Sequence, residues 1–126
     1  MRITSSNESP DPEAFLPLTP VEFEILMALV DGELHGYAIM QEVTARTGGG
    51  VRLLPGTLYR ALTRMLERHL IEISEQRPEP ALDDERRRYY RLTKLGNHVL
   101  KAEARRLDGQ VRAARAKKLI GNPERA

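Results

Sequence analysis

Apolar and polar residues between Leu18 and Lys118 fall into six blocks: helix, helix, helix, strand, strand, long helix. In "LTPVEFEILMALVDG", Thr19 suits a helix N-cap and Pro20 the first helical position. Glu22 follows Thr19 by three residues, the spacing of a capping box. The helix should run to about Val30 and stop at Asp31-Gly32. Val21, Phe23, Ile25, Leu26, Met27, Leu29 and Val30 cover almost its whole circumference, and only Glu22 and Glu24 interrupt them. A helix apolar nearly all round is covered on more than one side. In so short a chain the expected cover is a second subunit, which puts Phe23 and Leu26 at an interface.

Gly36 opens the second helix, which turns Ile39, Met40 and Val43 inward and ends at Gly48-Gly49-Gly50. Pro55-Gly56 opens the third, which should reach about His69. "IEISEQ" alternates Ile71 and Ile73 against Glu72 and Ser74, a strand pattern, and "RRRYYRL" supplies a second strand. Tyr89 and Tyr90 are adjacent in it and face opposite ways, so one of them is core. Thr93 then caps a helix from Lys94 to about Lys118. Its Leu100, Ala104, Leu107, Val111 and Ala114 step as a heptad seam, which favours pairing with another helix. Gly109 inside it costs about 1 kcal/mol of helix propensity and marks a site of bending or fraying.

This order predicts a mainly α (α+β) fold: a winged helix-turn-helix with a long C-terminal dimerisation helix. Residues 1–17, rich in Ser, Pro and acids, are expected to form a disordered tail. Residues 18–92 then make the winged helix, 93–120 the C-terminal helix, and 121–126 a second tail.

The third helix has two unlike sides. With Thr57 at 0° and 100° per residue, Leu58, Leu62, Met65, Leu66 and His69 fall between about 80° and 180°. Arg60 falls near 300°, Arg64 near 340° and Thr63 near 240°, with Arg68 beside Arg64 and Tyr59 at the edge of the apolar stripe. Anchorage explains the stripe. The row of arginines needs another explanation.

Charge sharpens that question. The formal net charge is only +2. From Arg86 to Lys118, however, there are twelve Lys/Arg against Glu103 and Asp108, whereas residues 1–85 carry seven Lys/Arg and fifteen Asp/Glu. Such asymmetry points to an anionic partner, with a merely solvated basic face as the alternative. Arginine can donate two hydrogen bonds to a guanine edge, and threonine can bond to base or phosphate. The first-turn N–H groups near Gly56 and Thr57 favour a phosphate, which the Tyr59 hydroxyl could also reach. The candidate DNA-binding residues are therefore Gly56, Thr57, Tyr59, Arg60, Thr63 and Arg64, with Arg86, Arg87 and Arg88 at the hairpin. Against this, Glu67 is placed to pair with Arg60, Arg64 or Arg68. The candidate dimer interface comprises Phe23, Leu26, Leu100, Ala104, Leu107, Val111 and Ala114.

Other classes find little footing. The chain has no cysteine, which removes disulfides, thiolate metal sites and a cysteine nucleophile. His35, His69 and His98 fall on three different elements without metal-ligand spacing. No catalytic site, metal or cofactor is expected; no apolar run is long enough for a transmembrane helix, and the alanine-rich stripe of the last helix, without Trp or Phe, speaks against a membrane-surface role. With no secretory signal pattern at the N-terminus, the cytoplasm is the default compartment.

Three segments, "ILMALVDGELHGYAIMQEV", "LLPGTLYRALTRMLERHLI" and "RRRYYRLTKLG", resemble the PadR-type transcriptional regulators, in the family's order and over roughly 18–100. The resemblance implies a homodimeric winged-helix repressor on a palindromic operator in double-stranded DNA, often released by a small-molecule effector, here of unknown identity. It places the recognition segment at Pro55 to Ala61 and the basic wing strand at Arg86 to Tyr90. Room for a single helix after Thr93 resembles the family's short branch. The remaining alternative is a winged-helix protein-interaction module without sequence-specific DNA binding.

Overall fold

The computed structural model describes residues 10–74 and 88–122. Helix α1 spans Pro20–Ala28, strand β1 Leu34–His35, α2 Gly36–Arg46 and α3 Pro55–Glu67. Strands β2, Ile71–Ile73, and β3, Tyr89–Leu92, follow, and then α4, Lys94–Ala116. The three strands form one antiparallel sheet in the order β1-β3-β2. This is the expected winged helix-turn-helix with its long last helix. Among the described residues no helix is long and apolar enough to cross a membrane.

The helix ends follow local chemistry. Thr19 Oγ accepts the Glu22 N–H at 3.1 Å while the Glu22 carboxylate accepts the Thr19 N–H at 3.0 Å, so the capping box is complete. Thr93 caps α4 through the Gly96 N–H at 2.9 Å. His35 caps α2, its Nδ1 accepting the Ala38 N–H at 3.2 Å. Gly48, at φ +60°, ends α2 in the left-handed conformation that glycine adopts freely. Helix α3 ends two residues short of the expected His69. There His69 itself takes φ +63° without being glycine. Its N–H bonds to Leu66 O at 3.1 Å and that of Leu70 to Met65 O at 3.0 Å, the paired closure of a Schellman motif. Leu70 and Met65 are both fully buried, which supplies the apolar clasp that holds this turn.

The core joins Ile25, Leu26, Ile39, Val43, Leu58, Leu62, Met65, Leu70, Ile71, Tyr90 and Val99. Each fully buried side chain of this size contributes about 1.5–3 kcal/mol. Tyr90 is the core tyrosine of the pair, at 2% exposure. It lies opposite Leu34 and Ile73 in the sheet, and the half-buried Tyr89 sets its ring edge-on to His35 at 5.4 Å.

Several expectations need correction. Helix α1 is covered by α2, α3 and α4 of its own chain. Leu26 is fully buried in that core and Leu100 is 5% exposed, so neither is available to a second subunit. Strand β1 has only two residues, too few for an alternation to be read. Residues 10–17, assigned to the tail, include a 3-10 turn at Pro12–Phe15 that packs on α4. Phe15 and Leu16 join the edge of the core, and the Leu18 N–H reaches the buried Glu103 carboxylate at 3.0 Å. Residues 1–9 and 123–126 lie outside the described residues. Helix α4 continues unbroken through Gly109.

Two glycines in α4 differ sharply. A Cβ on Gly96 would overlap the Leu70 carbonyl oxygen, whereas one on Gly109 meets nothing within 4 Å. Gly96→Ala should therefore destabilise the protein by about 2–3 kcal/mol or more, and Gly109→Ala should stabilise it by about 0.5–1 kcal/mol. Thermal or denaturant unfolding of the two variants checks this opposition of sign.

Glu103 gives a pH dependence. The Arg106 guanidinium, bonded to it at 2.6 Å, holds its carboxyl below the ordinary 4.5 against the opposing effect of burial, and the Leu18 N–H lowers it further. A carboxyl whose pKa is lower folded than unfolded stabilises the fold above the unfolded value. That contribution disappears as pH falls through the folded value. Stability should thus decline below about 4.5, and Glu103→Gln should flatten that part of the curve, read by urea unfolding between pH 7 and 3.

Candidate nucleic-acid interface

Helix α3 is built to show one side. Leu58, Ala61, Leu62 and Met65 are at most 1% exposed and turn towards the core. The opposite side is a shallow open groove lined by Gly56, Tyr59, Arg60, Thr63 and Arg64. Five of the residues singled out from sequence thus stand together. Thr57 is half-buried beside them.

The start of α3 differs from the starts of α1, α2 and α4. Its N-cap is Leu54, which offers no side-chain hydrogen bond, and Pro55 has no N–H to satisfy. The N–H groups of Gly56 and Thr57 therefore open the helix without a side-chain acceptor, at the positive end of its dipole. Gly56 has a steric reason as well. A Cβ there would lie 3.3 Å from Arg60 Nη1, so the missing side chain leaves room for the Arg60 guanidinium to fold back over the first turn.

The polar groups are not equally available. Arg60 is exposed and forms no ion pair among the described residues. The Thr63 hydroxyl donates to Tyr59 O at 2.9 Å, which keeps its oxygen lone pairs outward. Tyr59 departs from expectation. Its hydroxyl is turned against Gly36 at the start of α2, where even a Cβ would collide with it. The small "HG" at 35–36 thus lets α2 and α3 approach closely, with Tyr59 wedged between them.

Arg64 and Arg68 answer to an acid that the sequence reading assigned only to capping. Glu22 Oε2 lies 3.1 Å from Arg68 Nη1 and 3.8 Å from Arg64 Nε. Glu67, the expected partner, takes neither. The Arg68 guanidinium also covers the Phe15 ring, 5.2 Å from its centroid. Arg68 is thus drawn to the seam between α1 and the N-terminal segment and away from the groove. The clue in the sequence was the acid at 22 together with arginines at spacing four, but nothing there showed that the two helices cross at that point.

Arg88 is half-buried just before β3, while Arg86 and Arg87 lie outside the described residues. Arg91, next along, is held on the sheet by Glu72 at 2.8 Å and Glu33 at 3.6 Å. Among the residues proposed for dimer contact, Ala104 and Val111 are exposed, and Phe23, Leu107 and Ala114 are half-buried. Among the described residues no group of three His, Asp or Glu is placed to hold a metal ion.

Three helices packed with a small sheet, the third helix turning one side outward, define a winged helix-turn-helix protein. The Transcriptional regulator PadR-like family matches residues 25–102, and the chain belongs to that family. Related proteins fit this placement. An uncharacterized 37.1 kDa protein in transposon TN4556 of Streptomyces fradiae is 39% identical over 90 residues, 69% of this chain. The match spans only 24% of that protein's length. A transcriptional regulator from Clostridium thermocellum superposes with a TM-score of 0.65 at 25% identity, over 80% of this chain and 90% of that one. Bacillus subtilis PadR, solved in complex with operator DNA, shares the fold with a TM-score of 0.57 at 23% identity, over 68% of this chain and 47% of its own.

Proposed function

We propose that the protein is a sequence-specific DNA-binding regulator of transcription that acts as a homodimer. One observation carries this reading: the outward side of α3 presents Arg60, which has no ion-pair partner among the described residues, with Thr63 and a helix start lacking a side-chain cap beside it, over a buried apolar reverse. Arg60 would donate to a guanine edge in the major groove. The Gly56 and Thr57 N–H groups would hold a phosphate and fix the register of the helix. Arg86, Arg87 and Arg88 would add contacts to the backbone or minor groove from the wing. The family, and a neighbour of the same fold solved on operator DNA, support this reading.

The second copy would pair along α4. The first half of that helix is packed on the body through Val99, Leu100 and Ala102, but the stretch from Ala104 onward leaves it. An isolated helical end of such length is marginal in water. Ala104, Leu107, Val111 and Ala114 would be covered by the same residues of the partner copy, with Phe23 at the margin. Two α3 helices set one helical turn apart, roughly 34–36 Å, would then read a palindromic operator. Repression, and release by a small molecule, are the regulatory mode the family implies.

Selection from random duplex DNA tests the reading. A palindromic consensus supports it, while a lack of enrichment favours a protein-interaction module. On the selected duplex, Arg60→Ala should weaken binding by about 1–3 kcal/mol at matched salt; binding equal to wild type would remove Arg60 from the reading face. Val111 is 41% exposed, and Val111→Glu should shift the protein from dimer towards monomer in light-scattering chromatography.

A further inference from the structure

Glu22 is used twice. Its Oε1 closes the capping box on the Thr19 N–H, while its Oε2 faces two arginines of α3. The side chain is 5% exposed, whereas those of Arg64 and Arg68 are 49% and 38% exposed. A buried carboxylate needs a cationic partner. Arg68 meets that need with a hydrogen bond of 3.1 Å and is braced from below by Phe15. Arg64, at 3.8 Å from the same oxygen, lies beyond hydrogen-bonding distance yet inside the range of strong charge attraction. It also lines the outward groove with Arg60 and Thr63. Arg64 thus stands with its stem drawn towards α1 and its donors unspent.

We propose that Glu22 is a positioning residue for the DNA-reading face: it tethers Arg64 in one orientation and offsets one of the two neighbouring cationic charges. The inference rests on the DNA-binding reading of α3. An untethered arginine can follow any phosphate, which raises affinity for every duplex alike. A tethered one reaches only partners at a fixed place, and that favours the correct sequence over others. Neutralising half of the Arg64–Arg68 pair also limits sequence-independent attraction. Glu22 therefore trades general affinity for discrimination without touching DNA.

Glu22→Gln isolates this role, because glutamine also closes a capping box. Binding of the full chain to the selected consensus duplex and to a scrambled duplex is measured across a range of salt. On the scrambled duplex, the slope of log K against log salt should steepen by about 0.9, the value for one more phosphate neutralised. Preference for the consensus should fall about tenfold. In an Arg64→Ala background the same substitution should leave the preference for the consensus unchanged.

Unchanged slope and preference in Glu22→Gln overturn the proposal and leave the DNA-binding reading intact. An equal loss in the Arg64→Ala background overturns it too, since the role would then be only structural. Wild-type protein without any consensus preference overturns the DNA-binding reading and this inference together. A measurement on unmutated protein guards against a variant that fails to fold. By NMR relaxation, the Arg64 guanidinium should be more ordered on the fast timescale than that of Arg60, and equal mobility overturns the tether.

Discussion

The structure turns on the burial of one side of α3. Leu58, Ala61, Leu62 and Met65 have essentially no contact with water, and together they set both the axis of the helix and its rotation about that axis. Rotation is the sensitive quantity. A turn of one residue, about 100°, would carry Arg60 from the groove to the flank and bring an apolar side chain out in its place. The core therefore does more than hold the domain together. It decides which atoms face outward, and the Schellman closure at His69 and Leu70 stops the helix at a fixed phase relative to the sheet.

Ion pairing divides the remaining cations into two groups. Glu24 and Glu42 engage Arg46 across α1 and α2, Glu22 takes Arg68, Glu72 and Glu33 take Arg91, and Glu103 takes Arg106. Hydrogen bonds from these arginines to their carboxylate partners raise the guanidinium pKa values of Arg46, Arg91 and Arg106. These are structural clasps, mostly near the surface, and each is worth little singly. Their combined effect is selective. The acids of the first part of the chain satisfy arginines that hold elements to one another, and among the described residues Arg60 is left without such a partner. Net charge conceals this, because a total cannot show which charges have neighbours.

The sequence made the helices legible where short-range chemistry decides. Thr19 with Glu22, Thr93, and the glycines after Arg46 mark ends that the structure shares. The apolar phase of α3 was legible for the same reason, since its period needs no knowledge of neighbours. What escaped notice depends on crossings between distant segments. Strand β1 exists only because Leu34 and His35 lie against Tyr90 and Tyr89. Leu26 looked like a surface contact because α4, which helps to cover α1, begins more than sixty residues further on. Tyr59 stood at the edge of the apolar stripe on a helical wheel, with its hydroxyl expected to reach a phosphate, yet the gap left by Gly36 takes that hydroxyl instead.

The same crossings join the reading face to the helix proposed for pairing. Leu70 is the pivot. Its N–H closes the end of α3 on Met65, and its carbonyl accepts the N–H and the hydroxyl of Thr93, each at 3.1 Å. The next turn of α4 brings Gly96 against that same carbonyl, with no room for a side chain between them. Between the last turn of α3 and the first of α4 there is thus one peptide, held from both sides and fully buried. Such a joint transmits rotation, because neither helix can turn without breaking a hydrogen bond or forcing a backbone overlap. In the proposed dimer, the angle at which the two α4 helices cross would therefore set the separation of the two reading faces directly. A ligand or partner that altered that crossing would change operator fit without reaching α3 itself.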